Sequence, residues 1–198
     1  MGLLKILKSE AVRRGLINPS QEIDPRTVYE LVRDMPYKRA SDREPETLIR
    51  EWRGTCSGKH YLLKELFFEL GYSSKVIACT NVTVFDLDKE PDEMREILES
   101  VDGRFVDVHN YLLLELPEGE MIIDATWPLS AKKYHLPVNE TFELGVDQRI
   151  ACEPIKTWKV PEDEEPQAFK EHLLRENFSQ EELIARNAFI QAVGDWLN

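Results

Sequence analysis

A change of hydrophobic period at Gly71 divides the chain into a helical part and a part rich in strands. Before Gly71, apolar residues recur at helical spacing, with Leu63, Phe67 and Leu70 on one stripe. After Gly71, residues 76–85 form a run dominated by β-branched side chains, which is typical of a strand. The sequence therefore predicts an α/β fold of the α+β kind, in which a helix packs on an antiparallel sheet.

The helix that ends at Gly71 carries a cysteine, Cys56, in its first turn. Thr55 is placed to cap this turn, and the apolar stripe predicts that the thiol faces the protein interior. Free amides and the helix dipole at such a position favour an anion and lower the pKa of a thiol. The flanking glycines, Gly54 and Gly58, allow a substrate or another backbone to approach the sulfur. The position predicts a nucleophile, although a lone cysteine is more often a packing residue.

Capping residues and prolines mark where the other helices begin. The signals are a polar cap, a proline in the first turn or a capping box, and they occur at Asp24 with Pro25, at Pro91, and at Ser179 with Glu182. A further short helix, from Glu46 to Trp52, is predicted from its apolar spacing. Residues 1–8 start as an amphipathic helix without the cleavage site of a signal peptide. Residues 129–160 are predicted to be rich in loops, with possible strands at 149–152 and 155–158, followed by a solvated acidic linker.

A β-hairpin is predicted from two apolar segments, residues 105–116 and 121–127. Its strands carry His109 and Asp124, and two registers are open. In one register Asp124 is opposite Leu113, too far from His109; in the other, a turn shifted toward Pro117 places Asp124 opposite Tyr111 and diagonal to His109. We expect the second register, because a carboxylate in an apolar strand is costly unless it is paired.

Composition excludes several classes of partner. The 37 acidic and 25 basic residues give a net charge of -12, which opposes binding to nucleic acid or to an anionic membrane and favours a neutral or cationic partner. The three cysteines, Cys56, Cys79 and Cys152, are too few and too unevenly spaced for a disulfide framework. Their odd number suits a reducing cytoplasm, so a cytoplasmic protein is expected.

No cofactor or metal is predicted. The segment 54–60 resembles a phosphate-binding loop only in part, because it has three residues between its glycines where four are needed and it follows a helix. His60, His135 and His172 lack the spacing of metal ligands, so each is predicted to be a surface or boundary residue.

Cys56, His109 and Asp124, in that order, are the candidate catalytic residues. The stretch 52–128 resembles the transglutaminase-like superfamily of papain-type fold: a glycine-flanked cysteine heads an amphipathic helix, a strand follows, and a histidine strand precedes an Asp-x-Thr sequence. The chain departs from the family pattern at Ala125, where proline is frequent, and at Tyr111, where tryptophan is common. Neither departure removes a chemical group from the triad.

The resemblance implies a cysteine enzyme that performs acyl transfer on an amide. In such an enzyme His109 deprotonates Cys56, the sulfur forms a thioester, and Asp124 orients His109. The oxyanion is expected to meet the amide of Cys56 and one upstream donor, for which Trp52 and Gln21 are candidates.

A single domain over 1–198 is predicted, with N-terminal helices at 1–51, the catalytic core at 52–128, and a loop-rich segment with C-terminal helices at 129–198.

Three further interpretations remain open at this point. Peptidase, amidase and transglutaminase differ only in the substrate and in the nucleophile that reaches the thioester. An arylamine N-acetyltransferase uses similar triad logic, but the acidic and aromatic pattern expected after its cysteine is missing. A non-catalytic peptide-binding or scaffolding domain of the same fold is the alternative of a different class. The sequence leaves the oligomeric state undetermined.

Overall fold

The computed structural model of the protein describes residues 2–197, and within them it contains seven α-helices and four strands. The helices are α1 Leu3–Arg13, α2 Pro25–Arg33, α3 Pro45–Glu51, α4 Cys56–Glu69, α5 Asp92–Glu99, α6 Pro166–Asn177 and α7 Gln180–Trp196. The strands are β1 Ser74–Val84, β2 Arg104–Leu116, β3 Gly119–Ile123 and β4 Lys156–Lys159. Short 3₁₀ helices follow β1 and β3 at Leu87–Lys89 and Leu129–Tyr134.

The four strands form one antiparallel sheet in the order β3-β2-β1-β4. In the β2–β3 hairpin, Leu116 pairs with Gly119, so the connecting loop has only two residues. At the other edge, β4 pairs with β1, and Cys79 is opposite Thr157. A mixed α+β protein with an antiparallel sheet is therefore confirmed as the fold class.

The described residues divide into two compact units, each built from two stretches of the chain. The first unit contains the residues up to Val76 together with Tyr111–Ala151. The second unit contains Ile77–Asn110 together with the residues from Cys152 onward. Strands β1 and β2 each contribute residues to both units.

The core of the first unit lies among α2, α4 and the long loop after β3. Phe142 of this loop is buried and stacks on Tyr29 of α2 and Phe67 of α4, with ring centroids 4.8 Å and 6.3 Å apart. Glu69, the last residue of α4, holds the start of α1: its carboxylate accepts hydrogen bonds from the amides of the first two residues of α1 at 2.7 Å and 2.9 Å. The carboxylate complements the positive end of that helix.

The core of the second unit is an apolar cluster between α5 and α7, formed by Met94, Leu98, Phe189 and Ala192. This contact confirms that the helix beginning after Pro91 covers an apolar surface. The chain leaves α5 through Gly103, which has a φ of +74°. Gly103 also has no room for a side chain, because a Cβ atom would lie 2.8 Å from the carbonyl oxygen of Phe85.

Local signals located most helix ends correctly. Asp24 caps α2 by accepting a hydrogen bond from the amide of Thr27 at 2.7 Å. Ser179 and Glu182 form the predicted capping box at α7. Gly71, just beyond α4, has the expected left-handed φ of +88°. These ends depend on contacts within a few residues, which is why the sequence predicts them.

The predicted strand at 149–152 is wrong, whereas the one predicted at 155–158 is present as β4. The amides that a strand would use are bound by side chains of the first unit instead. Arg149 N donates to Asn139 Oδ1 at 3.0 Å, and Ala151 N donates to Asp124 Oδ2 at 2.8 Å. The stretch is a loop held by polar side chains. Within residues 2–197, every helix falls short of the length and apolarity needed to cross a bilayer.

Candidate active site

Cys56 is the first residue of α4, and only 4% of its surface is exposed. Its sulfur lies 3.8 Å from the hydroxyl oxygen of Ser57. The N-cap residue is Thr55, as predicted, but among the described residues its side chain makes no capping hydrogen bond. The prediction that Thr55 caps the helix through its hydroxyl is therefore wrong. The dipole of α4 favours an anion at this end of the helix.

The glycines beside Cys56 lie against α3. A Cβ atom on Gly58 would lie 2.8 Å from Leu48 Cδ2, and one on Gly54 would lie 3.2 Å from the same atom. Leu48 belongs to α3 and is buried. Because Gly54 and Gly58 have no side chains, α3 can pack closely against the start of α4. These contacts show a packing role for both glycines, and the approach of a substrate to the sulfur stays a prediction.

Lys59 follows in the same turn of α4 and is fully buried. Its ammonium group donates to the carbonyl oxygen of Arg33 at 2.7 Å and to that of Thr126 at 3.1 Å. Arg33 is the last residue of α2, so the cation lies at the negative end of that helix. Burial lowers the pKa of Lys59 to about 7, although the negative charges of Asp34 and Asp124 favour the protonated form.

His60 is also fully buried, so its prediction as a surface or boundary residue is wrong. Its Nδ1 lies 2.7 Å from the carbonyl oxygen of Cys56, and its Nε2 accepts a hydrogen bond from the amide of Ala125 at 2.9 Å. Because the amide can only donate, Nε2 carries no proton and Nδ1–H donates to Cys56. The imidazole therefore connects the backbone of the cysteine to the residue after Asp124. His135 and His172 are exposed, as predicted.

Asp124 is buried just after β3, and its carboxylate receives three hydrogen bonds. Oδ1 accepts from the amide and hydroxyl of Thr126 at 3.0 Å and 2.6 Å, and Oδ2 accepts from the amide of Ala151 at 2.8 Å. Oδ1 also lies 3.6 Å from Nε2 of His60. The amide of Asp124 itself donates to Gln148 Oε1 at 2.8 Å. Its orientation is therefore set by surrounding donors.

The hairpin has the register that we expected. Leu112 pairs with Ile123, and continuing this register by one residue places Asp124 opposite Tyr111. The two-residue loop of Pro117 and Glu118 produces this arrangement. The first unit thus brings Cys56 and Asp124 to the same imidazole, that of His60.

His109 lies on β2 in the second unit and is 4% exposed. Two residues earlier, Asp107 points to the same side of the strand and accepts hydrogen bonds from Arg186 of α7, with Nε at 2.7 Å. Lys170 of α6 is 3.7 Å from the same carboxylate oxygen. Burial raises the pKa of Asp107, but the charges of Arg186, Lys170 and His109 outweigh it and keep the pKa below its usual value.

Sequence reasoning missed Lys59 and His60 as parts of this site. The available signal was their spacing: they stand three and four residues after Cys56, which places them near the thiol on the helix surface. The leucines and phenylalanines of α4 indicate its buried face, and a lysine and a histidine outside such a face usually point to solvent.

Trp52 and Gln21, the two candidates for the upstream oxyanion donor, differ in their N–H groups and in their surroundings. The main-chain amide of Trp52 already donates to the carbonyl oxygen of Leu48 at 2.8 Å, which leaves its indole group. Trp52 has a φ of +55°, a left-handed conformation that is uncommon for a bulky residue, at the point where α3 ends. The main-chain amide of Gln21 donates to the carbonyl oxygen of Asn18 at 3.0 Å, which leaves its side-chain amide at an exposed position.

The chain matches no protein-family model, no curated protein and no solved structure. The resemblance to the transglutaminase-like superfamily therefore stays a prediction. Within residues 2–197, no group of three or more histidine, cysteine, aspartate and glutamate side chains has an arrangement suited to a metal ion.

Proposed function

We propose that the protein is a cysteine-dependent enzyme of papain-like, transglutaminase-like type, which transfers an acyl group from an amide through a thioester. The observation that carries the proposal is the setting of Cys56. The thiol is buried in the first turn of α4, the Thr55 side chain makes no cap there, and the charge of Lys59 interacts with that of the sulfur. The helix start and the Lys59 cation favour a thiolate, and they act against the burial of the thiol, which favours the neutral form.

His109 is the base in this proposal, as in the triad that the sequence predicts, and the hydrogen bonds of His60 argue against His60 in that role. Both ring nitrogens of His60 are hydrogen-bonded to backbone groups, one to the carbonyl of Cys56 and the other to the amide of Ala125. Taking up the thiol proton at Nε2 would break the second of these bonds. His60 therefore has a supporting role, and the proton of Cys56 passes to His109.

The reaction then follows the usual course of a cysteine nucleophile. The Cys56 thiolate attacks the carbonyl carbon of the amide, and the amide of Cys56 with one upstream donor binds the oxyanion. His109 returns its proton to the leaving amine, and Asp124 stabilises the imidazolium. Water or a second amine releases the acyl group from the thioester. The net charge of -12 favours a neutral or cationic substrate in a reducing cytoplasm.

Alkylation of the native protein with iodoacetamide at pH 6, followed by peptide mapping, tests the proposal. Exposure alone ranks Cys152 first, because it is half-buried whereas Cys56 and Cys79 are buried. We expect Cys56 to be the dominant labelled residue, since only a thiolate reacts appreciably at this pH. Labelling that follows exposure, or that requires unfolding, would favour a binding or scaffolding domain.

An acyl-enzyme assay with p-nitrophenyl acetate supplies the chemical readout. We expect a burst of nitrophenolate and one acetyl group on Cys56 in the native protein. Cys56→Ala should remove both while the protein remains folded, because alanine is well tolerated at a helix start. Cys152→Ala is the matched control and should keep the burst.

A further inference from the structure

Two consecutive buried polar residues, Lys59 and His60, form hydrogen bonds with the backbone of the turn that begins at Asp124. His60 binds the amide of Ala125, and Lys59 binds the carbonyl of Thr126. Thr126 in turn donates twice to the Asp124 carboxylate. Burying an ammonium group and an imidazole side by side is costly unless their hydrogen bonds are satisfied, so this arrangement needs an explanation.

We propose that Lys59 and His60 are positioning residues, which hold the Asp124–Thr126 turn against α4 and keep Asp124 at a set distance from Cys56. This inference rests on the proposed function. It assigns Lys59 a second effect, because the Lys59 cation and a Cys56 thiolate attract each other and each favours the charged form of the other. The charged and titratable groups that act on Lys59 are Arg33 at the end of α2, Asp34 just after it, Asp124 after β3, and Cys56 of α4.

The pH dependence of Cys56 alkylation tests this role without a substrate. Lys59→Met keeps the length of the side chain and removes its charge and donors; His60→Gln removes the double contact of the ring. In both variants the alkylation midpoint should move to higher pH, with labelling at pH 6 reduced about tenfold for each pKa unit. Lys64→Met, on the same helix but partly exposed, is the control and should leave the midpoint unchanged.

The outcomes separate this inference from the proposed function. If wild-type Cys56 is unreactive at pH 6, the proposed function fails. If wild-type Cys56 reacts and folded Lys59→Met has an unchanged midpoint, only the positioning role fails. If Lys59→Met does not fold, the test is made on the wild-type protein. The pH titration of the Lys59 ammonium group, followed by NMR, and the pH profile of Cys56 alkylation should then share an inflection. An alkylation profile without that inflection would overturn the inference.

An independent observation concerns the other two cysteines, which lie in the second unit. Their sulfur atoms are 3.8 Å apart, with Cys79 fully buried on β1 and Cys152 half-buried before β4. Thr80 fixes the intervening geometry, because its carbonyl accepts from Ile155 N at 2.8 Å and its hydroxyl accepts from Lys156 N at 3.2 Å. Two thiols held in van der Waals contact need to approach by only about 1.8 Å to reach disulfide length.

We infer that Cys79 and Cys152 form a dithiol site that reacts with low-molecular-weight disulfides. The accessible Cys152 thiolate attacks one sulfur of oxidised glutathione and releases one glutathione thiolate. The Cys79 thiolate then attacks the Cys152 sulfur of the mixed disulfide and releases the second. Two protein thiols are thereby oxidised to one disulfide, and the two protons leave with the two reduced glutathione molecules.

Incubation of the native protein with oxidised glutathione, followed by non-reducing peptide mapping, tests this site. The wild-type protein should yield a peptide pair linked through Cys79 and Cys152. Cys79→Ser should stop at glutathione on Cys152, and Cys152→Ser should leave Cys79 unmodified. A Cys56→Ala control should still form the link. Glutathione retained on Cys152 of the wild-type protein, or a link that forms only after unfolding, would overturn the inference.

Discussion

At the scale of the single residue, Asp124 shows how strongly its neighbours limit substitution. Three donors converge on its two carboxylate oxygens, two from Thr126 and one from Ala151. A carboxylate accepts at every position, whereas an asparagine has one accepting and one donating group. Asp124 is therefore needed for the local structure as well as for the proposed orientation of His109.

We predict that Asp124→Asn lowers the free energy of unfolding by about 1–3 kcal/mol, because at least one buried donor loses its acceptor. It should also reduce acyl transfer by about 10² to 10³, since the imidazolium loses its counter-charge. Urea denaturation and the nitrophenyl acetate burst measure the two effects. Asp147→Asn is the matched control: Asp147 accepts one amide bond, from Ile122, at an exposed position, and asparagine can keep that bond. Equal results for the two variants would contradict a special role for Asp124.

At the scale of the element, the starts of α4 and α7 differ although both have a hydroxyl residue as N-cap. Ser179 accepts from the amide of Glu182, whose carboxylate accepts from the amide of Ser179 in return. Thr55 makes no such bond among the described residues. The capping box stabilises the start of α7, whereas α4 begins without this contribution from the side chain of its N-cap residue.

Alanine substitutions at the two N-caps should therefore have unequal effects. Ser179→Ala is expected to destabilise the protein by about 1 kcal/mol, because α7 loses its capping hydrogen bond. Thr55→Ala should change the free energy of unfolding by less than about 0.5 kcal/mol. Urea unfolding of both variants under one condition provides the measurement. A cost for Thr55→Ala that matches Ser179→Ala would show that its hydroxyl caps α4 in solution.

At the scale of the whole molecule, charge is distributed in two ways. Most carboxylates are exposed, and the net charge of -12 is expected to oppose binding to nucleic acid. Asp107, like Asp124, is buried, and it lies beside Arg186 of α7 and Lys170 of α6. This carboxylate ties β2 to both C-terminal helices. Removing it would take a negative charge away from two buried cations.

We predict that Asp107→Asn destabilises the protein by about 3–5 kcal/mol at pH 7. The lowered pKa of Asp107 sets the sign of the pH dependence. Its stabilising contribution is complete above the unfolded-state pKa of about 3.9 and is lost as the pH falls through the lower folded-state pKa. The difference between wild type and variant should therefore shrink below about pH 4. Glu140→Gln, which breaks an exposed pair with Lys132, is the control and should cost at most about 1 kcal/mol.

The surface charge also predicts the absence of nucleic-acid binding. A protein with a net charge of -12 and no basic stripe gains little from releasing counterions. Fluorescence anisotropy with labelled DNA and RNA at low and high salt should show no salt-dependent binding. A submicromolar affinity with a steep salt slope would contradict this expectation.

The sequence by itself determined the features that depend on neighbours in the chain. Asp24, Gly71 and Ser179 mark helix ends because caps act within one turn. The hairpin register could be argued from the cost of an unpaired carboxylate, and the observed pairing of Leu112 with Ile123 agrees with it. The mixed α+β class followed from the change of hydrophobic period at Gly71.

Only the tertiary structure decided what distant segments do to a side chain. Lys59 and His60 are buried because α2 and the turn after β3 supply their hydrogen-bond partners, 26 and 65–67 residues away in the chain. Gly58 makes room for Leu48 of α3 because two helices meet there. The approach of Cys79 to Cys152, 73 residues apart, likewise follows from the pairing of β1 with β4. No local pattern encodes these contacts, because each arises only when the chain folds back on itself.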